Sequence, residues 1–128
     1  MRTRIMSTRK DAAVSFLQLV ATGRVREAFD KYAGSRFRHH NAYFDATPEA
    51  LMHGMEDNAR QYPQKHLDVK HALEDGDLVA VHSHVRHTPD ERGYGLVHIF
   101  RFDGDRVAEL WDLAQEVPAH SPNSNVMF

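Results

Sequence analysis

Apolar positions in the first half of the chain recur at helical spacing. Ala13, Phe16, Leu17, Val20 and Ala21 follow the i, i+3, i+4, i+7 rule, with Ser7 or Thr8 placed to cap the helix they predict. Thr22-Gly23 interrupts that run. Val25, Ala28, Phe29 and Tyr32 then form a shorter stripe, which Gly34 is expected to end, so the two make an αα-hairpin. Arg36 to Tyr43 reads as a short extended piece. Thr47-Pro48-Glu49 supplies a cap, a proline at the first helical position and an acid in the first turn. Leu51, Met52, Met55, Ala59 and Tyr62 carry this third helix to Pro63. Gly54 sits in its middle, where glycine costs about 0.5–1 kcal/mol against alanine.

Beyond Pro63 the period drops to two. Alternating runs predict strands over 66–74, 78–87, 94–102 and 106–115. Asp75-Gly76 and Asp103-Gly104 mark turns, and residues 88–93 a longer loop, so the strands form an antiparallel meander. Helices followed by such a meander give an α+β domain: three helices laid on one face of a mainly antiparallel sheet of four to five strands. A length of 128 residues suits one domain with one core. The expected division is a flexible N-terminus over 1–10, the domain over 11–118, and a tail over 119–128. That tail ends in Val126-Met127-Phe128, which is expected to dock on the domain or on a partner.

Register decides which side chains meet. A three-residue turn with glycine in the left-handed position at both Asp-Gly sites would keep even-numbered residues of adjacent strands on one face. That face would place His66, Asp68, His82, His84, His98 and Asp112 among Phe100, Phe102 and Leu110. A tight two-residue turn would break the set. The opposite face, with Val97, Ile99, Trp111 and Leu113, is too apolar to meet water along its length. A second copy of the chain is its plainest cover, so a homodimer through the sheet is expected.

Composition narrows the chemistry. Without cysteine there is no disulfide framework, thiolate zinc site or cysteine nucleophile. Sixteen Lys and Arg, interspersed with eighteen Asp and Glu, argue against a nucleic-acid partner. No run approaches the ~20 apolar residues of a membrane span. Met1 to Ser7 has only Ile5 and Met6 as large apolar residues, too few for a secretory core, so a cytoplasmic chain is expected. The motifs GxGxxG, GxxxxGK[ST] and GxSxG are missing, which removes support for nucleotide binding and for a nucleophile elbow. Proton transfer remains within reach of the side chains present, in a chain that carries ten histidines.

Polar groups on a largely apolar sheet face are costly unless paired, hydrated or lining a cavity. A pocket between sheet and helices would make Asp112 and His98 its acid–base pair, with His40 and His82 as partners. His84, Asn41, Tyr43, Phe100 and Leu110 would then contact the ligand. Asp112 reads equally as a structural acceptor that ties down a neighbouring element. Asp68 would lie opposite His82, either orienting a general base or forming a plain cross-strand pair. His82-x-His84, joined by His98 and His40, offers an alternative set of metal ligands. In His39-His40-Asn41 only one histidine can face inward, and alternation does not select which. Trp111 reads as core or dimer interface.

Several of these segments carry a family look. They are Val97-His98-Ile99-Phe100-Arg101, Asp103-Gly104, Val107, Glu109, Trp111-Asp112 and Gln115-Glu116-Val117-Pro118, joined by Gly76 to His82, by His40-Asn41 and by the ending Asn125-Val126-Met127-Phe128. Over residues 12–128 the chain resembles the SnoaL-like polyketide-cyclase group of the nuclear transport factor 2-like (cystatin-like) superfamily. The resemblance implies a cone of curled sheet with three helices on its concave side, a pocket at the open end, and usually a dimer. It implies cofactor-free acid–base chemistry on a small cyclic or carbonyl-containing molecule, as in cyclases, isomerases and dehydratases, although non-catalytic binding members also occur. The family's His-Trp-Asp is here Leu110-Trp111-Asp112, and His98 stands where an Asp is common. The motif aspartate is kept while its usual proton-relay neighbours are exchanged, which implies a relay rearranged or lost.

Overall fold

A computed structural model describes residues 8–128. Ser7 and the rest of the expected N-terminal segment up to it lie outside the described residues. Helix α1 spans Arg9–Ala21, two residues before the expected boundary at 11. Thr8 caps it reciprocally: its Oγ accepts the Asp11 N–H at 3.1 Å, and its own N–H donates to the Asp11 carboxylate at 3.4 Å. Helix α2 spans Val25–Tyr32. Gly34 does not end it. Ala33 is already extended, and the chain runs straight into strand β1 (Ala33–His39), because β5 takes up the backbone groups that would have continued the helix. Helix α3 (Pro48–Gln61) is capped by Thr47, which accepts from Ala50 N at 3.2 Å. A Cβ on Gly54 would fall 2.4 Å from the Phe44 ring, so the residue that weakens α3 also makes room for the loop before it.

Strands β2 (His66–Asp75), β3 (Leu78–Arg86), β4 (Tyr94–Asp103) and β5 (Arg106–Glu116) complete a five-stranded curled sheet of order β1-β5-β4-β3-β2. Only β1 runs parallel to its neighbour, β5. The core lies between the helices and one sheet face. There Phe16 sits edge-on to Phe29 at 5.2 Å and to Phe100 at 5.8 Å, over fully buried Val79, Val81 and Val107.

The register differs from the expected one, and this redistributes the candidate residues. Both Asp-Gly turns are tight: Asp75 pairs with Leu78 and Asp103 with Arg106. Each hairpin then takes up one extra residue in a bulge, at Lys70 in β2 and at Ala108 in β5. The bulge in β5 restores even-with-even pairing, so His98 faces Asp112 and Phe100 faces Leu110. The β3–β4 hairpin pairs even with odd, setting Val81 against His98 and His82 against Val97. The expected single even face is therefore not formed. His98, Phe100, Leu110 and Asp112 share the inner face with Val79 and Val81; His82 and His84 share the outer face with Val97, Ile99, Trp111 and Leu113. Asp68 lies opposite His84 rather than His82 and pairs with Lys70 at 2.7 Å. His82 meets His71 instead, Nδ1 to Nδ1 at 3.1 Å.

Gly93 fixes the β3–β4 loop. Its φ is +81°, and a Cβ there would sit 2.1 Å from the Val85 carbonyl oxygen. The C-terminal end lies on the outer sheet face, where the Phe128 ring stacks on His84 at 4.2 Å. No described helix is long and apolar enough to cross a membrane.

Candidate functional site

The inner sheet face, α1 and α3 line an open-mouthed cavity of about 580 Å³, within the range of small-molecule pockets. Its walls are apolar: Leu17 and Val20 from α1, Met55 from α3, Leu67 from β2 and Leu96 from β4. Polar groups gather at its ends.

At one end His98 and Asp112 face each other across the β4–β5 ladder. Asn41 Nδ2 donates to Asp112 Oδ2 at 2.9 Å. Asn41 is itself held at two points: its N–H donates to His39 Nδ1 at 3.2 Å, and its Oδ1 accepts the Tyr43 N–H at 2.9 Å. His39 is buried, and its Nε2–H donates to the Asp45 carbonyl at 2.8 Å and the Thr47 carbonyl at 3.1 Å. Those partners select the Nε2–H tautomer. The chain from the α3 cap through His39 and Asn41 thus fixes the Asp112 carboxylate. His98 is buried, and its Nδ1 has no hydrogen-bond partner. Burial holds its imidazole below the ordinary histidine value, and the nearby Asp112 only partly offsets this. The pair therefore sets a neutral imidazole beside an anchored carboxylate.

At the other end lie Lys65, Asn58, His87 and Tyr94. Lys65 Nζ donates to Asn58 Oδ1, and burial pushes its ammonium below the usual lysine range. His87 donates to the Glu91 carboxylate through its backbone N–H at 2.8 Å and its Nδ1 at 3.0 Å, which holds that carboxyl low.

Among the residues singled out from sequence, the structure brings Asp112, His98, Asn41 and the exposed Tyr43 to this cavity. Phe100 and Leu110 do not line it, being 0% and 1% exposed inside the core. His40 is turned away. It stacks on Trp111 at 4.9 Å and donates through Nε2 to Glu109 at 2.6 Å. Glu109 also accepts from Arg38 at 2.9 Å and Arg101 at 3.1 Å, and these donors, His40 foremost, hold its carboxyl at about 2. Of the two neighbouring histidines it is His39 that turns inward, toward backbone carbonyls. His82 and His84 lie on the outer face, so they cannot converge with His98 on one ion. Among the described residues no three His, Asp or Glu side chains are placed to hold a metal.

Lys65, Asn58, His87 and Tyr94 escaped the sequence reading. The one signal for Lys65 was its position just after Pro63, where α3 gives way to β2 at the rim of the sheet.

A family model described as SnoaL-like domain matches residues 13–110. The chain belongs to this SnoaL-like family. Among solved structures it is similar to a candidate polyketide cyclase from Bacillus cereus, with 20% identity, 84% of this chain and 75% of that chain covered, and a TM-score of 0.73. It is also similar to AclR, a candidate hydroxylase from Streptomyces galilaeus, with 19% identity, coverage of 84% and 88%, and a TM-score of 0.70. A cystatin-fold protein from Novosphingobium aromaticivorans aligns at 17% identity, coverage of 84% and 98%, and a TM-score of 0.67. At such identities the likeness establishes the fold, which is nuclear transport factor 2-like. Comparison with curated proteins finds no match.

Proposed function

We propose that the chain is a cofactor-free acid–base enzyme, of isomerase, cyclase or dehydratase type, acting on a small cyclic molecule that carries a carbonyl group. The observation that carries this reading is the cross-strand pair His98–Asp112 at the end of an apolar cavity, with Asn41 anchoring the carboxylate. Asp112 takes a proton from the carbon next to the carbonyl. His98, kept neutral by burial, gives a hydrogen bond to the oxygen on which charge develops. Family membership and the candidate polyketide cyclase among its structural neighbours support this direction.

The test needs no knowledge of the natural substrate. 2-Tetralone, a cyclic ketone with acidic α-protons, is incubated with the protein in D2O and its α-exchange followed by NMR. Exchange above the buffer rate that Asp112→Asn abolishes supports the reading. Exchange equal in the two proteins removes Asp112 from it.

The same reading includes a homodimer through the outer sheet face. Its support is the exposure of Leu73 (68%) and Leu113 (66%) beside Ile99 and Trp111. Sedimentation at high micromolar concentration checks it, and a strict monomer would sink it.

A further inference from the structure

The cavity is polar at both ends, and the second end has a sign. Tyr94, Leu96 and His98 line it from one face of β4. The first and last are four residue steps apart along the strand, a span of about 13 Å. Lys65 belongs to the Tyr94 end, since Leu67 pairs with Val85 and Val85 with Tyr94. The groups that share this end are Asn58 from α3, His87 from β3 and Tyr94 from β4. None of them is an anion, and the nearby Glu91 carboxylate is occupied by His87. Among the described residues Lys65 has no carboxylate within 4 Å; its hydrogen-bond partner is the neutral Asn58 Oδ1.

A half-buried cation against an apolar wall is unfavourable until an anion joins it, and a carboxylate would add a charge-assisted hydrogen bond. We infer that Lys65 receives the carboxylate of an amphiphilic ligand, whose apolar ring lies along Leu17, Leu67 and Leu96 and whose reacting end reaches Asp112. The inference rests on the acid–base reading for the reacting end, and it narrows the substrate class to ring compounds that bear an acid group remote from the reacting carbon.

The test uses two probes of nearly equal shape, 1-naphthylacetate and 1-naphthylacetamide, titrated into the whole chain and followed by protein NMR. The wild-type protein is expected to bind the anion about tenfold more tightly. In Lys65→Met that preference disappears while the amide binds within about twofold of wild type, and Lys65→Arg retains it in part. Equal binding of both probes by the wild-type protein would overturn the inference and leave the acid–base reading standing, a result that needs no variant to fold. An anion preference that survives in Lys65→Met would overturn it as well. Binding of neither probe at millimolar concentration would overturn the inference, whereas 2-tetralone exchange reports on Asp112 alone.

Discussion

His98 and Asp112 occupy directly opposed positions on β4 and β5, one a buried imidazole with an unpartnered Nδ1 and the other a carboxylate held by Asn41. Among the described residues no other opposed pair in the sheet sets an imidazole against a carboxylate on the inner face. Asp112→Asn keeps the shape of the side chain and an oxygen to accept from Asn41, but cannot take up a proton. General acid–base contributions run to about 10²–10⁴ in rate, so 2-tetralone exchange should fall by that factor with thermal melting nearly unchanged. A variant that melts several degrees lower and binds probes correspondingly worse would instead assign Asp112 a structural role, with a loss of about 1–3 kcal/mol.

Titration of His98 gives a stability signature. Its folded-state value lies below the ordinary 6.5 because burial disfavours the charged ring. As pH falls below 6.5 the unfolded chain takes up a proton that the folded chain refuses, so stability must decline until the lowered folded value is passed. Above 6.5 the contribution is complete. Denaturant unfolding of wild type and His98→Gln between pH 4 and 8 should show a steeper acid-side loss in the wild type. Parallel curves would contradict the buried neutral ring.

Gly93 and Gly104 separate backbone strain from steric exclusion. Both have positive φ, yet a Cβ at Gly104 meets nothing within 4 Å, whereas at Gly93 it meets the Val85 carbonyl oxygen. Gly104→Ala should show only the left-handed penalty of about 1–2 kcal/mol. Gly93→Ala should lower the melting temperature further than Gly104→Ala does, by about 5 °C more or beyond. Equal shifts in calorimetry would show that the β3–β4 loop yields.

The elements were legible because their periods are clean. Phe16 and Phe29 fall on helical stripes, and burial alternates without a break from Leu78 to Arg86 in β3 and from Val97 to Asp103 in β4. Asp112 was legible too, as a carboxylate in a motif-bearing strand beside Trp111. What alternation could not supply was phase between strands. Loop 87–93 sets Val85 against Tyr94, and nothing in its composition states that parity, so His82 and His84 were assigned to the wrong face. The bulges at Lys70 and Ala108 arise where a two-residue turn meets a strand one residue too long, a mismatch visible only once both partners are aligned. Lys65 depended on a different kind of information. A lone lysine between a helix and a strand is ordinary in sequence; what sets Lys65 apart is that among the described residues no carboxylate lies within 4 Å of it.

The bulge at Ala108 gives β5 a margin in length. Val107 pairs with Phe102 and Glu109 with Arg101, so Ala108 is supernumerary in the ladder. Removing one residue there lets the strand straighten with every other partner retained, and Asp112 still opposite His98. Adding one has no such outlet: the surplus must enlarge the kink or slide the strand, and a one-step slide carries Asp112 through the sheet to the side of Trp111. Shortening and lengthening of this hairpin are therefore unequal events, and descendants of this sequence should accumulate deletions between Asp103 and Leu110 more readily than insertions.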